Sequence, residues 1–209
     1  MRNQIMRCAS LLAVVAVAMA GCVPVVWQRV EANNRIEQNR AFTVELPEGW
    51  MRYAPVNGSL NVSTNKGEHV VKVTRVMITR DGPNLQRINV MRLDSKDAFP
   101  RIERGYSDGM LPSEAAELYI ADIKATSTLE NLTVLKNAPY SIAGKQGFEV
   151  HVKYKTEKGL AYERLTYGFG DAGGFYLLSL DAPSVYFFPL HREAFNRMVT
   201  SFRLGTTKA

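Results

Sequence analysis

Short β-rich runs, some with alternating apolar and polar positions, recur along the chain beyond residue 40, which predicts a protein built largely from strands. The first clear case is Phe42 to Leu46, where every second residue is apolar, followed by a turn at Pro47 to Trp50. The segments with this β-rich character are 42–46, 60–64, 70–80, 85–93, 133–140, 147–155, 162–169 and 175–180. Asp81 to Asn84 consists of turn-forming residues, so 70–80 and 85–93 should form a long antiparallel hairpin with one solvated face.

Two further segments have the spacing of amphipathic helices. The first opens at Pro112, with Ser113 as the predicted N-cap and with Glu114 and Glu117 near the positive end of the helix dipole. The second covers residues 190–202. The apolar stripes consist of Ala116, Ile120 and Ile123 in the first helix and of Phe195, Met198, Val199 and Phe202 in the second. We therefore predict an α+β fold, a single antiparallel sheet packed by a central and a C-terminal helix.

The first 21 residues have the composition of a signal peptide. Arg2 and Arg7 precede the apolar run Leu11–Ala20, which is close in length to a signal-peptide hydrophobic region. The run leads into Met19-Ala20-Gly21-Cys22, which resembles the lipobox of bacterial lipoproteins, with methionine in place of the usual leucine. The resemblance implies cleavage between Gly21 and Cys22, attachment of a diacylglycerol to the Cys22 sulfur, and acylation of the new amino group, as with palmitate.

The lipid on Cys22 would determine where the protein works. Two or three acyl chains on one residue give durable attachment to a membrane, because each buried methylene contributes ~0.8 kcal/mol. Val23 follows the cysteine in place of the aspartate that often retains lipoproteins in the inner membrane, so the resemblance implies an outer-membrane protein facing the periplasm. The alternatives are plain secretion and an uncleaved anchor, since residues 8–27 carry no charge and are long enough to span a bilayer.

These patterns divide the chain into four parts. Residues 1–21 are the signal peptide, residues 22–40 a lipidated N-terminus and flexible tether, residues 41–205 one α+β domain, and residues 206–209 a disordered tail. The tether is predicted from the amide and charged side chains that dominate its second half. Cys8 and Cys22 are the two cysteines of the chain, so the mature domain has no disulfide.

The charge balance is mildly basic and argues against nucleic-acid binding. Removal of Arg2 and Arg7 with the signal peptide leaves 24 basic and 20 acidic side chains, whereas nucleic-acid recognition needs cationic residues clustered on one face. The nearest approach to such a cluster is the set Arg75, Arg80, Arg87 and Arg92. We interpret this set as the solvated side of the predicted hairpin.

The arrangement of several motifs resembles the PsbP-like fold. These motifs are Phe-x-Val-x-Leu-Pro-x-Gly-Trp at Phe42–Trp50, Ile-x-Gly-x-x-Gly at Ile142–Gly147, and the helix end Val199–Phe202. The resemblance covers residues 42–204 and implies an α-β-α layered domain that binds or stabilises a protein partner, with no catalytic residues shared by the family. It makes Arg75–Met110 the first segment to search for partner contacts.

The sequence predicts no catalytic, cofactor or metal site. Gly168, Gly170 and Gly173 match G-x-G-x-x-G, but a β-rich run follows them where a nucleotide site requires a helix, so we predict a hairpin turn. The histidines are far apart in sequence and lack the i, i+4 spacing of a helical zinc site. They are His69, His151 and His191.

We expect a membrane-anchored envelope lipoprotein that acts as a non-enzymatic protein-binding or accessory module, attached through acylated Cys22. One alternative is an envelope hydrolase or polysaccharide-binding enzyme in which two histidines and a carboxylate meet only in the folded chain. A second is a small-ligand or lipid carrier with an apolar cavity between sheet and helix. An aromatic cluster could also stack on sugar or nucleotide rings, although core packing explains it more simply. That cluster is Tyr176, Tyr186, Phe187 and Phe188.

Overall fold

A computed structural model describes residues 27–32, 34–54, 57–64, 66–126, 128–171 and 173–205. The strands are β1 (Trp27–Arg29), β2 (Arg35–Gln38), β3 (Phe42–Glu45), β4 (Met51–Tyr53), β5 (Asn57–Thr64), β6 (Gly67–Thr79), β7 (Arg87–Asp94), β8 (Leu129–Ile142), β9 (Lys145–Thr156), β10 (Ala161–Asp171), β11 (Gly174–Pro183) and β12 (Arg203–Leu204). The helices are α1 (Pro112–Lys124) and α2 (Phe187–Ser201), and two short 3-10 helices, Ser95–Asp97 and Pro100–Ile102, lie between β7 and α1.

Most strands belong to one antiparallel sheet with the order β1-β4-β6-β7-β11-β10-β9-β8, and β5 pairs with β6 beside β4. The predicted long hairpin is confirmed, because β6 and β7 pair with Val76 opposite Val90 and Ile78 opposite Ile88. The hairpin predicted at the G-x-G-x-x-G match is also confirmed, since β10 and β11 pair up to Asp171 opposite Gly174.

Alternation along the strands gives the large sheet an apolar core on each face. On one face, Val76 and Val90 pack in a cluster that includes Phe195 of α2. On the other face, Val73 and Val150 pack in a cluster that includes the apolar stripe of α1. The result is three layers, with α1 on one side of the sheet and α2 on the other, as the resemblance implies.

Both predicted helices are present, but Ser113 is not the N-cap of the first. Helix α1 begins at Pro112, and Leu111 occupies the cap position without a side-chain capping hydrogen bond. Proline suits the first helical position because it has no N–H that would need a partner there. Glu114 lies in the first turn, as predicted.

A second, smaller sheet corrects the prediction of a single sheet. Strands β2, β3 and β12 pair in the order β12-β3-β2 and belong to the same core as α2. Phe42 stacks on Phe202 with ring centroids 5.5 Å apart, and the Glu45 N–H donates to Ser201 Oγ at 3.0 Å. The sequence pattern did not reveal this sheet because β12 has two residues and pairs with a strand far away in the chain.

The folded part of the chain begins earlier than predicted, which corrects the tether predicted at residues 22–40. Strands β1 and β2 lie within that segment. Val30 is 1% exposed and its N–H donates to the Trp50 carbonyl at 2.8 Å. Ile36 and Gln38 are buried and alternate with exposed neighbours. The strand period is therefore present in β2, but its polar residues resemble those of a tether.

Candidate functional site

Helix α1 covers only part of the sheet face on which it packs. Helix α1 packs on β8, β9 and β10, and the second 3-10 helix packs on α1 and β5. On the same face, the side chains farther toward β1 are only partly buried. We call the set of residues Trp27, Tyr53, Arg75, Met77 and Asn89 the open face.

Aromatic and cationic groups meet on the open face. Trp27 pairs with Tyr53 across β1 and β4, and their ring centroids are 5.5 Å apart. The Arg75 guanidinium lies 5.7 Å from the centre of the Tyr53 ring, within cation–π range. Arg75 forms no ion pair with any carboxylate that the structure describes. Its charge is therefore available to an external group.

Next to the open face, a row of charged side chains crosses three adjacent strands. Arg164 on β10 lies opposite Asp181 on β11, which lies opposite Arg87 on β7. Asp181 Oδ2 accepts hydrogen bonds from Arg164 Nη2 at 2.5 Å, Arg164 Nε at 3.0 Å and Arg87 Nη2 at 3.2 Å. The Tyr154 hydroxyl donates to Asp181 Oδ1. The carboxylate is thus held on both oxygens while Arg87 remains 42% exposed.

Burial and the neighbouring charges shift the pKa of Asp181 in opposite directions. Burial alone would raise the pKa of Asp181, but the Arg164 and Arg87 guanidiniums and the hydrogen bonds from Tyr154 and Arg164 lower that pKa below its ordinary value. Burial, together with the nearby negative charge of Asp181, raises the pKa of Tyr154. Asp181 is therefore ionised at neutral pH, and Tyr154 remains protonated as its donor.

A cavity of about 250 Å³ lies above this row, between the sheet, α1 and the second 3-10 helix. We call this cavity the arginine pocket. Its charged lining residues are Arg75, Arg87, Arg101, Arg164, Asp122 and Asp181. Four guanidiniums face two carboxylates, so the pocket carries a surplus of positive charge.

Uncharged polar side chains form another part of the pocket wall. Thr166, Ser179 and Asn89 are successive cross-strand neighbours on β10, β11 and β7. The Thr166 hydroxyl is hydrogen-bonded to the Tyr119 hydroxyl of α1 at 2.8 Å. The Asn89 side chain has no hydrogen-bond partner among the described residues and lines the pocket. It can supply both donor and acceptor groups to a ligand.

An ion pair fixes the opposite wall of the pocket. Asp122 of α1 accepts hydrogen bonds from the Arg101 backbone N–H at 2.6 Å and from Arg101 Nη1 at 3.0 Å. Burial raises the pKa of Asp122, although Arg101 opposes this shift. The pair connects α1 to the second 3-10 helix.

The predicted basic set divides between the two faces of the sheet. Arg75 and Arg87 line the arginine pocket on the α1 face. Arg92 is two residues from Val90 on β7 and therefore lies on the same face of the sheet, the face that packs against α2. It forms an ion pair with Asp94 at 3.3 Å. Arg80 is exposed beside the turn. The prediction that the four arginines form one side of the hairpin is therefore wrong, because Arg75 and Arg87 lie on the face opposite to Arg92.

Sequence reasoning did not identify Arg164 and Asp181. A usable signal was present, because Arg164 lies inside the predicted strand 162–169 and Asp181 directly follows the predicted strand 175–180. A charge at a buried strand position requires a partner of opposite charge. An arginine in one predicted strand and an aspartate at the end of the next indicate a buried ion pair.

The histidines do not form a shared site. His69 lies 3.8 Å from Asp97, His151 lies 2.8 Å from Glu163, and His191 lies 2.6 Å from Asp81. His151 also stacks on Phe188, and His191 packs edge-on against Trp50. Across the described ranges, no three His, Cys, Asp or Glu residues are grouped as a metal site would require.

The other motifs have structural roles. Gly168 makes room for the Phe148 ring, whose nearest atom would lie 2.3 Å from an added Cβ. Glu117 accepts a hydrogen bond from Asn137 at 2.8 Å. In the aromatic cluster, Tyr176 and Phe188 are buried in the core and Phe187 packs against it, whereas Tyr186 is exposed.

The predicted lipidation site, Cys22, and the cleavage position after Gly21 lie outside the described residues. In the part of the chain that the structure describes, neither helix has the length and apolar character needed to cross a membrane.

Comparison with known proteins identifies the fold. Neither a protein-family model nor a curated protein matches the sequence. The solution structure of cyanobacterial PsbP (CyanoP) from Synechocystis sp. PCC 6803 is 11% identical, has a TM-score of 0.54, and the match covers 90% of this chain and 98% of that one. The Ran-binding protein Mog1p of Saccharomyces cerevisiae is 12% identical, with a TM-score of 0.50 over 87% of this chain and 96% of that one. A mutant of Mog1 gives 12% identity and a TM-score of 0.52 over 87% and 97%. The chain therefore has the PsbP-like fold that its motifs predict.

Proposed function

We propose that this chain is a lipid-anchored, non-enzymatic module that binds a protein partner in the bacterial envelope through the open face. The open face is the observation that carries the proposal. It presents tryptophan, tyrosine, methionine and arginine side chains, which are the types enriched at protein interfaces. Because the sheet fixes the backbone at these positions, binding does not require the backbone to become ordered. One protein of the same fold is named as Ran-binding, so the fold is compatible with protein recognition.

The membrane part of the proposal rests on Met19-Ala20-Gly21-Cys22 and on the apolar run before it. Acylation of Cys22 would attach the protein to the envelope, with Val23 favouring the outer membrane. The segment predicted to contact the partner, Arg75–Met110, contributes Arg75, Met77 and Asn89 to the open face. The lipid anchor would then raise the local concentration of the open face beside a partner in the same membrane, which would favour binding.

Site-specific photo-crosslinking in intact cells tests the binding part. The crosslinking amino acid p-benzoylphenylalanine is placed at Met77 on the open face and, as a matched control, at Arg197, which is exposed on α2. We expect a discrete protein adduct from position 77 and none of that mass from position 197. The same adduct from both positions, or no adduct from position 77, would contradict binding through the open face.

No specific observation favours the alternatives. A hydrolase using two histidines and a carboxylate would need them together, whereas each histidine pairs with a separate carboxylate. A lipid carrier would need an apolar cavity. The arginine pocket holds about 250 Å³, less than the roughly 300–1,000 Å³ of drug-sized ligand pockets, and four arginines and two aspartates stand among its apolar lining residues.

A further inference from the structure

The arginine pocket has a surplus of two positive charges, and one of them is on Arg75. Arg101 is matched by Asp122, and Asp181 is shared by Arg164 and Arg87. Arg75 has the Tyr53 ring as its partner and no described carboxylate. A guanidinium over an aromatic face keeps its N–H groups free at the edge, where they can bind an oxyanion.

The pocket wall is organised before any ligand arrives. Asp181 is 3% exposed and Arg164 is 18% exposed, and the two are held by two hydrogen bonds between them. Because this part of the wall is already fixed, only the Arg75 and Asn89 side chains would have to be ordered when a ligand binds, which limits the side-chain entropy that is lost.

We infer that the arginine pocket receives the carboxylate of an aspartate or glutamate side chain from the protein partner. This inference rests on the proposed function and specifies the chemistry of the partner. The carboxylate pairs with the free guanidinium of Arg75 and accepts a hydrogen bond from the Asn89 amide, which has no other described partner.

The surroundings favour an acidic side chain over a free anion. The pocket is continuous with the open face through Arg75 and Asn89, which belong to both. Beside the pocket, Trp27, Tyr53 and Met77 offer apolar surface for the residues that flank the acidic one. An interface with apolar contacts around one buried charge pair gives both affinity and a fixed register.

Selection from a random peptide display library tests the inference. The target is the full-length lipoprotein in detergent, as wild type, as Arg75→Gln, and as Arg92→Gln. Arg92 is the matched control because it lies on the opposite face of the same sheet and pairs with Asp94. We expect peptides selected by the wild type to share Asp or Glu at one position. Replacing it with Asn or Gln should weaken the Kd roughly tenfold or more.

The variants decide whether the acidic residue binds in the pocket. With Arg75→Gln, the difference in Kd between the acidic peptide and its amide version should disappear, and with Arg92→Gln it should remain. An unchanged difference with Arg75→Gln, or selected peptides without a shared acidic residue, would overturn the inference while leaving binding at the open face intact. Failure to select any peptide would contradict the proposed function as well.

A competition experiment distinguishes between a protein carboxylate and a lipid headgroup as the ligand of the arginine pocket. The acidic peptide is bound to the wild type, and vesicles containing phosphatidylglycerol are then added. We expect the peptide to remain bound. Displacement that depends on Arg75 would overturn the inference in favour of a phosphate-bearing headgroup in the pocket.

Discussion

Asp181 is the single residue on which the charged row depends, because three side chains donate hydrogen bonds to it. Without its negative charge, Arg164 would be a largely buried cation with no carboxylate beside it. Asp181 and Arg164 also line the arginine pocket, so a change at Asp181 would alter the charge of the proposed binding site as well as the stability.

Substitution of Asp181 by asparagine should lower the free energy of unfolding by about 3–5 kcal/mol, because breaking a buried pair leaves a buried charge uncompensated. Urea denaturation measures this loss. The control is Asp94→Asn, which breaks the more exposed pair with Arg92 at 3.3 Å and should cost less than about 1 kcal/mol. Equal losses from the two variants would contradict a structural role for the buried row.

The lowered pKa of Asp181 also predicts how stability depends on pH. A carboxyl group whose pKa is lower in the folded state stabilises the fold above its unfolded pKa, which is about 3.9 for aspartate. The contribution is lost as the pH falls through the folded pKa. Urea unfolding at several pH values should therefore show a constant difference between wild type and Asp181→Asn from about pH 7 to about pH 5, and a shrinking difference as the pH falls below about 4. If the difference in unfolding free energy between wild type and Asp181→Asn grew at low pH, the pKa of Asp181 would be raised in the folded state, which would contradict this prediction.

Among the structural elements, β1 is the one whose role differs most from what its sequence suggests. It lies in a segment predicted to be a tether, yet it pairs with β4 and is followed by Val30, which is fully buried. Trp27 of β1 also supplies part of the open face. The element therefore supports the core at one end and the proposed binding surface at the other.

Truncation of Val30 tests whether β1 is part of the folded domain. Val30→Ala should lower the free energy of unfolding by about 2 kcal/mol, because buried methyl groups are lost from the core and a small cavity remains. The control is Gln28→Ala, at an exposed position of β1, which should change stability by less than about 0.5 kcal/mol. Chemical denaturation of both variants measures the effect. An undiminished stability of Val30→Ala would mean that residues 27–30 behave as a tether.

The elements that were predictable are those whose signals are local. The β6–β7 and β10–β11 hairpins follow from turn residues between β-rich runs, and α1 and α2 follow from helical spacing. The small sheet was not predictable, because β12 joins β3 from the other end of the chain. The arginine pocket was missed for the same reason. Its residues come from separate strands and from α1, and only the register of the sheet brings them together.

For the molecule as a whole, the early start of the folded part limits how far it can move from a lipid anchor. Trp27, the first described residue, follows Cys22 by five positions. Even a fully extended chain of that length spans at most about 18 Å. If Cys22 is acylated, the open face, which includes Trp27, works close to the bilayer surface. The proposed partner is then a protein embedded in the membrane or attached to it.

Attachment through Cys22 is the central claim, because location, reach and the class of partner all depend on it. Intact mass spectrometry of the protein extracted from membranes, compared with Cys22→Ser, tests it most directly. We predict a wild-type mass equal to residues 22–209 plus a diacylglycerol and an amide-linked acyl chain, and no acyl mass on Cys22→Ser. A wild-type protein that retains Met1, or that begins at residue 22 without added acyl mass, would contradict the claim.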